Sequence, residues 1–349
     1  MFTGFTKVSI PNFKSLRDLE FSPRRVNVFI GDANTGKSNI LEALAVFSEG
    51  VYEDDQTFKE VLRFKTVSDL FYDRDLSQSA RVLADGVDWS LKREPPQFMA
   101  TYLGPPGKDG VKLTVTPSGQ IIQGNPWASG LSSALGLTVT PPGQIQGANR
   151  PVPCTRFYRF QTLANFTDMR LDALHAPYGT NLAVLLETNK RLRHLVDGLF
   201  EQKGFRLVIN SDTYELMMAK EQEGRLCLFS YPTISETFRR IVFFMAILET
   251  NQNAILLLDE PEANTYPLYT AYMAERIALD DSNQYFLSTH NPYILGSIVG
   301  KTPVKDLAVF VTTMDGYRTG VERVADDKLP LLLDYGQDAF LNLSKLVDA

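Results

Sequence analysis

Two cysteines and three histidines are all that 349 residues provide. Cys154 and Cys227 cannot build a disulfide framework or a cysteine-rich zinc site. His175, His194 and His290 are scattered along the chain and do not suggest a histidine cluster. A basic excess is missing as well. The formal net charge is −6 and the isoelectric point about 5.3, so only a local patch would give nucleic acid a foothold. Long apolar runs are also absent, and runs such as residues 254–258 fall far short of the ~20 residues that span a bilayer. The N-terminus carries Lys7 and Lys14 but no apolar signal core. What remains is an ordinary globular composition, 44% hydrophobic and 22% charged, in a chain long enough for one large or two ordinary domains. The expectation is a cytoplasmic protein with no membrane partner.

What is present begins at residues 26–44, VNVFIGDANTGKSNILEAL. The stretch fits G-x-x-x-x-G-K-[ST], a phosphate-binding loop. The apolar, β-branched run from Val26 to Ile30 reads as a buried strand entering the loop. Beyond Lys37, the residues Ile40, Leu41, Leu44, Ala45 and Phe47 recur at helical spacing. A strand, a glycine turn and a helix start would aim successive backbone N–H groups at a phosphate. The rim Asp32-Ala33-Asn34 is more acidic and less glycine-rich than usual, although Asn tolerates left-handed backbone angles.

Two short strands are expected before the loop, with turns at Pro11-Asn12 and Ser22-Pro23. From about residue 81 to 154 the texture is β-rich, with short apolar runs between Pro/Gly turns, and it contains an internal repeat: Leu113–Ile121 recurs as Leu137–Ile145. Each copy reads as a strand, a Pro-x-Gly turn and a second strand. Residues 182–202 read as one amphipathic helix. After the apolar helix 238–248, strands at 254–258, 284–288 and 307–311 alternate with helices at 269–279 and 293–299, as in a parallel α/β sheet.

The first of these strands supplies the other half of a phosphate site. Ile255-Leu-Leu-Leu-Asp259-Glu260-Pro261-Glu262 is a buried strand whose carboxyl end projects acids, the end at which open α/β sheets bind ligands. Asp259 with the hydroxyl of Ser38 suits Mg²⁺, and Glu260 suits a general base for an attacking water. The strand 284–288 runs into Thr289-His290, where a histidine can sense a γ-phosphate.

The order Gly31…Gly36-Lys37-Ser38, Leu258-Asp259-Glu260-Pro261 and Ser288-Thr289-His290 resembles the ABC-type ATPases. Val8-Ser-Ile-Pro-Asn12-Phe13 before the loop and Gly36-Lys-Ser-Asn-Ile-Leu-Glu-Ala-Leu44 within it resemble the SMC/RecF and OLD-like branch. So do Tyr178-Gly179-Thr-Asn181-Leu182, Asp259-Glu-Pro-Glu-Ala263 and Thr289-His-Asn-Pro292. The resemblance covers residues 1–50 and most of the chain from about 155. It implies a single α/β P-loop head with a mixed sheet, assembled from an N-terminal lobe 1–50 and a C-terminal lobe 155–349, with 81–154 as a β-rich insertion.

For the site, the resemblance implies ATP held by Gly31, Asn34, Thr35, Gly36, Lys37, Ser38 and Asn39. Mg²⁺ is held by Ser38 and Asp259 with Gln161 as the sensing glutamine, and Glu260 and His290 are catalytic. Two heads would sandwich two ATPs, each gripped also by a signature helix of the other head. Here the signature lacks its glycine and reads Thr233-Ile-Ser235-Glu236-Thr-Phe-Arg239-Arg240, with Ser235 as the residue that meets the partner's ATP. Thr233-x-x-Glu236 also fits a capping box that would fold Glu236 back on its own helix.

No heptad runs through several repeats between Lys37 and Asp259, so long coiled-coil arms are not expected. The stretch after His290 is too short for an appended nuclease domain. The resemblance therefore implies a dimeric ATP switch for a separate effector, a nuclease or toxin of prokaryotic anti-phage defence. It leaves two alternatives. One is a RecF-like DNA-binding repair ATPase using Lys59, Arg63, Lys65, Lys190, Arg191 and Arg193, which keeps nucleic acid open as a partner. The other is a non-catalytic assembly scaffold. Asp32 and Glu236 would meet at one head-to-head interface, which predicts a weak interface and slow turnover by the chain alone.

Overall fold

A computed structural model describes residues 4–103, 111–122, 137–140, 144–147, 154–201 and 203–347. The chain starts with the hairpin β1 (Val8–Phe13) and β2 (Leu16–Phe21), and then β3 (Val26–Gly31) leads through the loop into helix α1 (Lys37–Ala45). Helix α2 (Asp55–Leu62) is capped by Asp54, whose carboxylate accepts from the backbone N–H groups of Gln56 and Thr57, so its start is legible as an Asx cap. Strands β4 (Ala80–Ala84), β5 (Val87–Glu94), β6 (Gln97–Leu103) and β7 (Val111–Val115) follow. They do not stand apart. Strand β4 pairs antiparallel with β1, giving one six-stranded sheet in the order β2-β1-β4-β5-β6-β7.

The first repeat copy is β7, a turn closed by Gly119 N–H donating to the Thr116 carbonyl, and a bridge from Val115 to Ile121. The second copy forms a separate antiparallel ribbon of β8 (Leu137–Thr140) and β9 (Gln144–Gly147); its Pro-x-Gly turn at 141–143 lies outside the described residues.

Strand β10 (Cys154–Tyr158) opens the second half. Residues 182–202, expected as one helix, form α3 (Leu182–Thr188) and α4 (Lys190–Glu201). The break falls at Asn189, whose side-chain oxygen accepts from the Leu192 N–H and starts the second helix. The antiparallel sheet β11 (Arg206–Asn210), β12 (Glu215–Gln222) and β13 (Arg225–Ser230) precedes α5 (Glu236–Thr250). Then come β14 (Ala254–Asp259), α6 (Pro267–Leu279), β15 (Gln284–Ser288), α7 (Pro292–Lys301), β16 (Leu307–Asp315), β17 (Arg318–Arg323) and α8 (Leu329–Tyr335).

The central sheet has the order β10-β14-β15-β3-β16-β17; all its pairings are parallel except the edge hairpin β16–β17. Its inner strands β3, β14 and β15 are largely apolar and buried along nearly their whole length because both faces are covered. Phe29, Ile255, Leu257, Phe286 and Phe310 enter one core, shared with α1 and the first sheet. Their neighbours Val28, Leu256, Leu258, Leu287 and Val309 enter the other core, under α5, α6 and α7. The period-two alternation thus sorts one uninterrupted run into two cores. Among the described residues, no helix is long and apolar enough to cross a membrane.

Candidate nucleotide site

The site lies where β3, β14, β15 and β16 end side by side. Pairing aligns Gly31 with Thr312 and Asp259 with Ser288. The loop leaves β3 through Gly31, whose missing side chain is required: an added Cβ would lie 2.3 Å from the Thr312 hydroxyl oxygen and 2.5 Å from its carbonyl oxygen. Asn34 takes a left-handed φ of 60°, as its residue type allows. Gly36 has a φ of 90°, and a Cβ there would stand 2.0 Å from the Thr319 hydroxyl. It is the N-cap of α1 and leaves the helix start without a side-chain cap, so the first-turn N–H groups stay available to an anion.

Lys37 is buried at 5% exposure, and its ammonium donates to the carbonyls of Gly31 (3.0 Å) and Asp32 (2.7 Å). Burial holds its pKa below the ordinary lysine value, against the opposing pull of Glu260, Asp259 and Asp32. Thr35 spans the loop: its hydroxyl lies 2.9 Å from the Asp32 carbonyl and 2.6 Å from the Thr312 hydroxyl. Asn39 turns away, donating its side-chain amide to the Ser15 hydroxyl at 2.7 Å and tying α1 to the β1–β2 turn.

Ser38 donates its hydroxyl to the Asp259 carboxylate at 3.0 Å, across two elements far apart in the chain. Ser288 donates to the same oxygen at 2.6 Å and accepts from the Glu260 N–H at 3.1 Å. That clamp accompanies a left-handed φ of 46° at Glu260, a conformation that costs a non-glycine residue on the order of 1 kcal/mol and that persists where surrounding structure imposes it. It turns the Glu260 side chain out of the strand, half-exposed, with its carboxylate 3.3 Å from His290 Nε2. Burial, then the Lys37 charge, holds the His290 pKa below the usual imidazole value; Glu260, Asp259 and Asp32 oppose them. Lys37, Asp32, Asp259, Glu260 and His290 therefore share one electrostatic neighbourhood. A hydroxyl and a carboxylate in contact are hard oxygen donors of the kind a Mg²⁺ ion takes.

Glu262 is the residue that sequence reasoning passed over. It is 7% exposed and accepts a hydrogen bond from the Thr289 hydroxyl, and burial raises its carboxyl pKa to about 7. Its signal was the fourth letter of Asp259-Glu-Pro-Glu262.

Two other expected residues sit apart from this cluster. Gln161 is exposed in the loop after β10, beside Arg159 and Phe160 in a surface depression. Ser235 is the exposed N-cap of α5 and makes no side-chain cap bond. The Thr233–Glu236 capping box does not form. The Thr233 hydroxyl donates instead to the Ser230 carbonyl, and Ser235 takes the cap position. Glu236 is held from the side, accepting from the Asn264 amide at 3.2 Å with Arg240 at 3.8 Å.

Five of the six cations considered for DNA fall in two separate places. Arg191 pairs with the buried carboxylate of Glu249 at 3.0 Å, and Arg193 donates to the Leu186 carbonyl at the end of α3. Lys59, Arg63 and Lys65 gather elsewhere, around the Gln161 depression.

Comparison with known proteins agrees with this architecture. An AAA ATPase domain family matches residues 5–80. No curated protein sequence matches the chain. Among solved structures, an SMC head bound to the C-terminal winged-helix domain of ScpA is similar at 14% identity and a TM-score of 0.50, covering 93% of this chain and 98% of that one. An SMC head domain from Thermotoga maritima is similar at 13% identity and a TM-score of 0.42, over 93% and 100% of the two chains. The chain thus has an α/β fold with a mixed central sheet, of the P-loop type seen in SMC heads, and an ATPase-type phosphate loop in its matched N-terminal segment.

Proposed function

We propose that the chain binds ATP and hydrolyses it slowly as one head of a head-to-head dimer, and that this cycle switches a separate effector protein. The observation that carries the reading is the contact of Ser38 with Asp259 at 3.0 Å, beside Glu260 and His290. The loop N–H groups and Lys37 bind the β- and γ-phosphates. Ser38 and Asp259 would hold Mg²⁺, which would supply charge neutralisation on the transferred phosphoryl group, with Gln161, exposed in the loop after β10, as the sensing glutamine. Glu260 takes the proton of the attacking water, and neutral His290, whose Nε2 lies 3.3 Å from the Glu260 carboxylate, orients the same water or the γ-phosphate. The exposed N-terminus of α5, with Ser235, meets the nucleotide of a second head.

The effector role extends from two analogies, and fold alone never carries function. The similar SMC head was crystallised on a winged-helix domain of another protein. The OLD-like sequence features suggest a nuclease or toxin of prokaryotic anti-phage defence. The test is Glu260→Gln: turnover falls at least ~100-fold, as removing a general base does, and ATP-bound dimers accumulate in light scattering. Unchanged hydrolysis would overturn the assignment of the base.

A further inference from the structure

Between the C-terminal end of α2 and the loop after β10 lies an open depression of about 440 Å³, within the range of small-molecule sites. Lys59, Arg63, Lys65 and Arg159 line it, together with the rings of Phe160 and Tyr178. Among the described residues, neither lysine takes part in an ion pair. The one acid in the lining is already engaged: Glu60 accepts from the Tyr178 hydroxyl at 2.7 Å on one oxygen and from the Gln56 amide at 2.7 Å on the other. The arginines are held in place beforehand. Arg159 donates to the Glu60 carbonyl and lies over the Phe157 ring, and Arg63 is the left-handed C-cap of α2, with φ 44°. The lining therefore combines cations with aromatic rings, the two elements of nucleotide recognition, phosphate pairing and base stacking.

The surroundings favour a compact ligand over a polymer. Glu53, Asp54 and Asp55 crowd the other end of α2, and the chain as a whole carries −6, so a nucleic acid strand would meet repulsion within a few nucleotides of the depression.

The cavity also touches the machinery of the phosphate loop. Glu42 of α1 is fully buried, and its carboxylate accepts from Arg63 and from Lys14, with Arg159 3.9 Å away. A phosphate drawn to Arg63 and Arg159 competes with Glu42, a residue on the same helix as Lys37 and Ser38. We propose that this depression is a second site, for a single phosphorylated nucleotide, and that Arg63, Arg159 and Glu42 relay its occupancy to α1. The binding stands on the depression alone; only the relay rests on the ATPase reading.

The probe is 5′-AMP, titrated calorimetrically into the full chain carrying Lys37→Ala to silence the phosphate loop. Saturable binding of one AMP per chain is expected. It should weaken at least ~10-fold when Lys59→Ala and Lys65→Ala are added, as losing two charge-assisted contacts implies; both are surface changes whose fold is checked by circular dichroism. No saturable binding, or binding indifferent to the lysine pair, would overturn the site. A single-stranded oligonucleotide lacking a terminal phosphate that binds more tightly than AMP, and increasingly with length, would overturn the compact ligand. In the unsubstituted chain, AMP should shift the affinity for an ATP analogue several-fold, and an unchanged affinity would overturn the relay. If the analogue does not bind at all, the ATPase reading and the relay fall together, and the AMP titration still decides the site.

Discussion

Helices α1 and α5 begin in opposite ways. The start of α1 is enclosed: Gly36 is pressed against Thr319, Lys37 is buried, and Ser38 is bonded to Asp259. The start of α5 is open: Ser235 is exposed and makes no side-chain cap bond, and Glu236 leans on Asn264. Both ends carry the same partial positive charge of aligned peptide dipoles. The first is walled by Thr319, Ser15 and Asp259, whereas the second is flanked by the Asn264 loop on one side. The difference teaches that the α1 half of the proposed site is enclosed within one chain, whereas the α5 half stands open in it.

The hardest blow to that contrast is Lys37→Ala. With the only buried ammonium in the loop removed, turnover should fall roughly a thousandfold, the scale seen for losing a positive group at a transferred phosphoryl. A rate assay checks it, and a residual rate within tenfold would place the chemistry elsewhere.

Next is Glu262→Gln, which probes the ground between the two helices, because Glu262 follows the Asp259 turn and acts electrostatically on Arg240 of α5. The native carboxyl titrates near pH 7, whereas an unfolded glutamate titrates near 4.5. Between those values the native state holds a proton that the unfolded state has lost. The stability it adds is therefore full below pH 4.5 and is lost as pH rises through 7. Glutamine stays neutral throughout, so the variant should gain on the order of 3 kcal/mol relative to the parent at pH 8 and almost nothing at pH 4. Thermal melts at the two pH values check it; equal gains would contradict a raised carboxyl.

Ser235→Ala sharpens the comparison on its open side. With no cap bond to lose, stability should change by less than ~0.5 kcal/mol. Turnover should fall about tenfold under conditions that favour dimers, through loss of one hydroxyl contact. A variant with full activity would remove α5 from the site.

The smallest effect is expected from Asp32→Asn with Glu236→Gln. If these acids repel across two heads, their neutralisation should raise specific activity a few-fold and lower the concentration of half-maximal activity, more so at low salt. An unchanged profile would separate Asp32 and Glu236 from any shared interface.

Much of the phosphate-loop half could be read in advance because its determinants are local. The run 26–30, the glycines at 31 and 36 and the helical spacing after Lys37 each specify their own backbone. The acidic strand end at Asp259 was legible for the same reason. The misreadings arose where alternatives of similar energy competed. Thr233 could accept from the Glu236 N–H or donate to the Ser230 carbonyl and does the latter, and Asn189 broke a helix whose apolar spacing continued through it. The union of β4–β7 with β1 and β2 could not be read at all, because that pairing joins residues some seventy positions apart and neither strand's alternation names its partner.

The sequence by itself determined that a strand, a left-handed glycine turn and a helix would follow one another at residues 26–45, since steric limits on each residue suffice for that. Only the tertiary structure decided that Ser38 would touch Asp259, that Glu260 would be turned toward His290, and that Glu262 would lose its water. Those outcomes depend on which strand ends lie side by side and on which carboxylates the packing buries, and neither the neighbours of a strand nor the dielectric around an acid is written in its own stretch of chain.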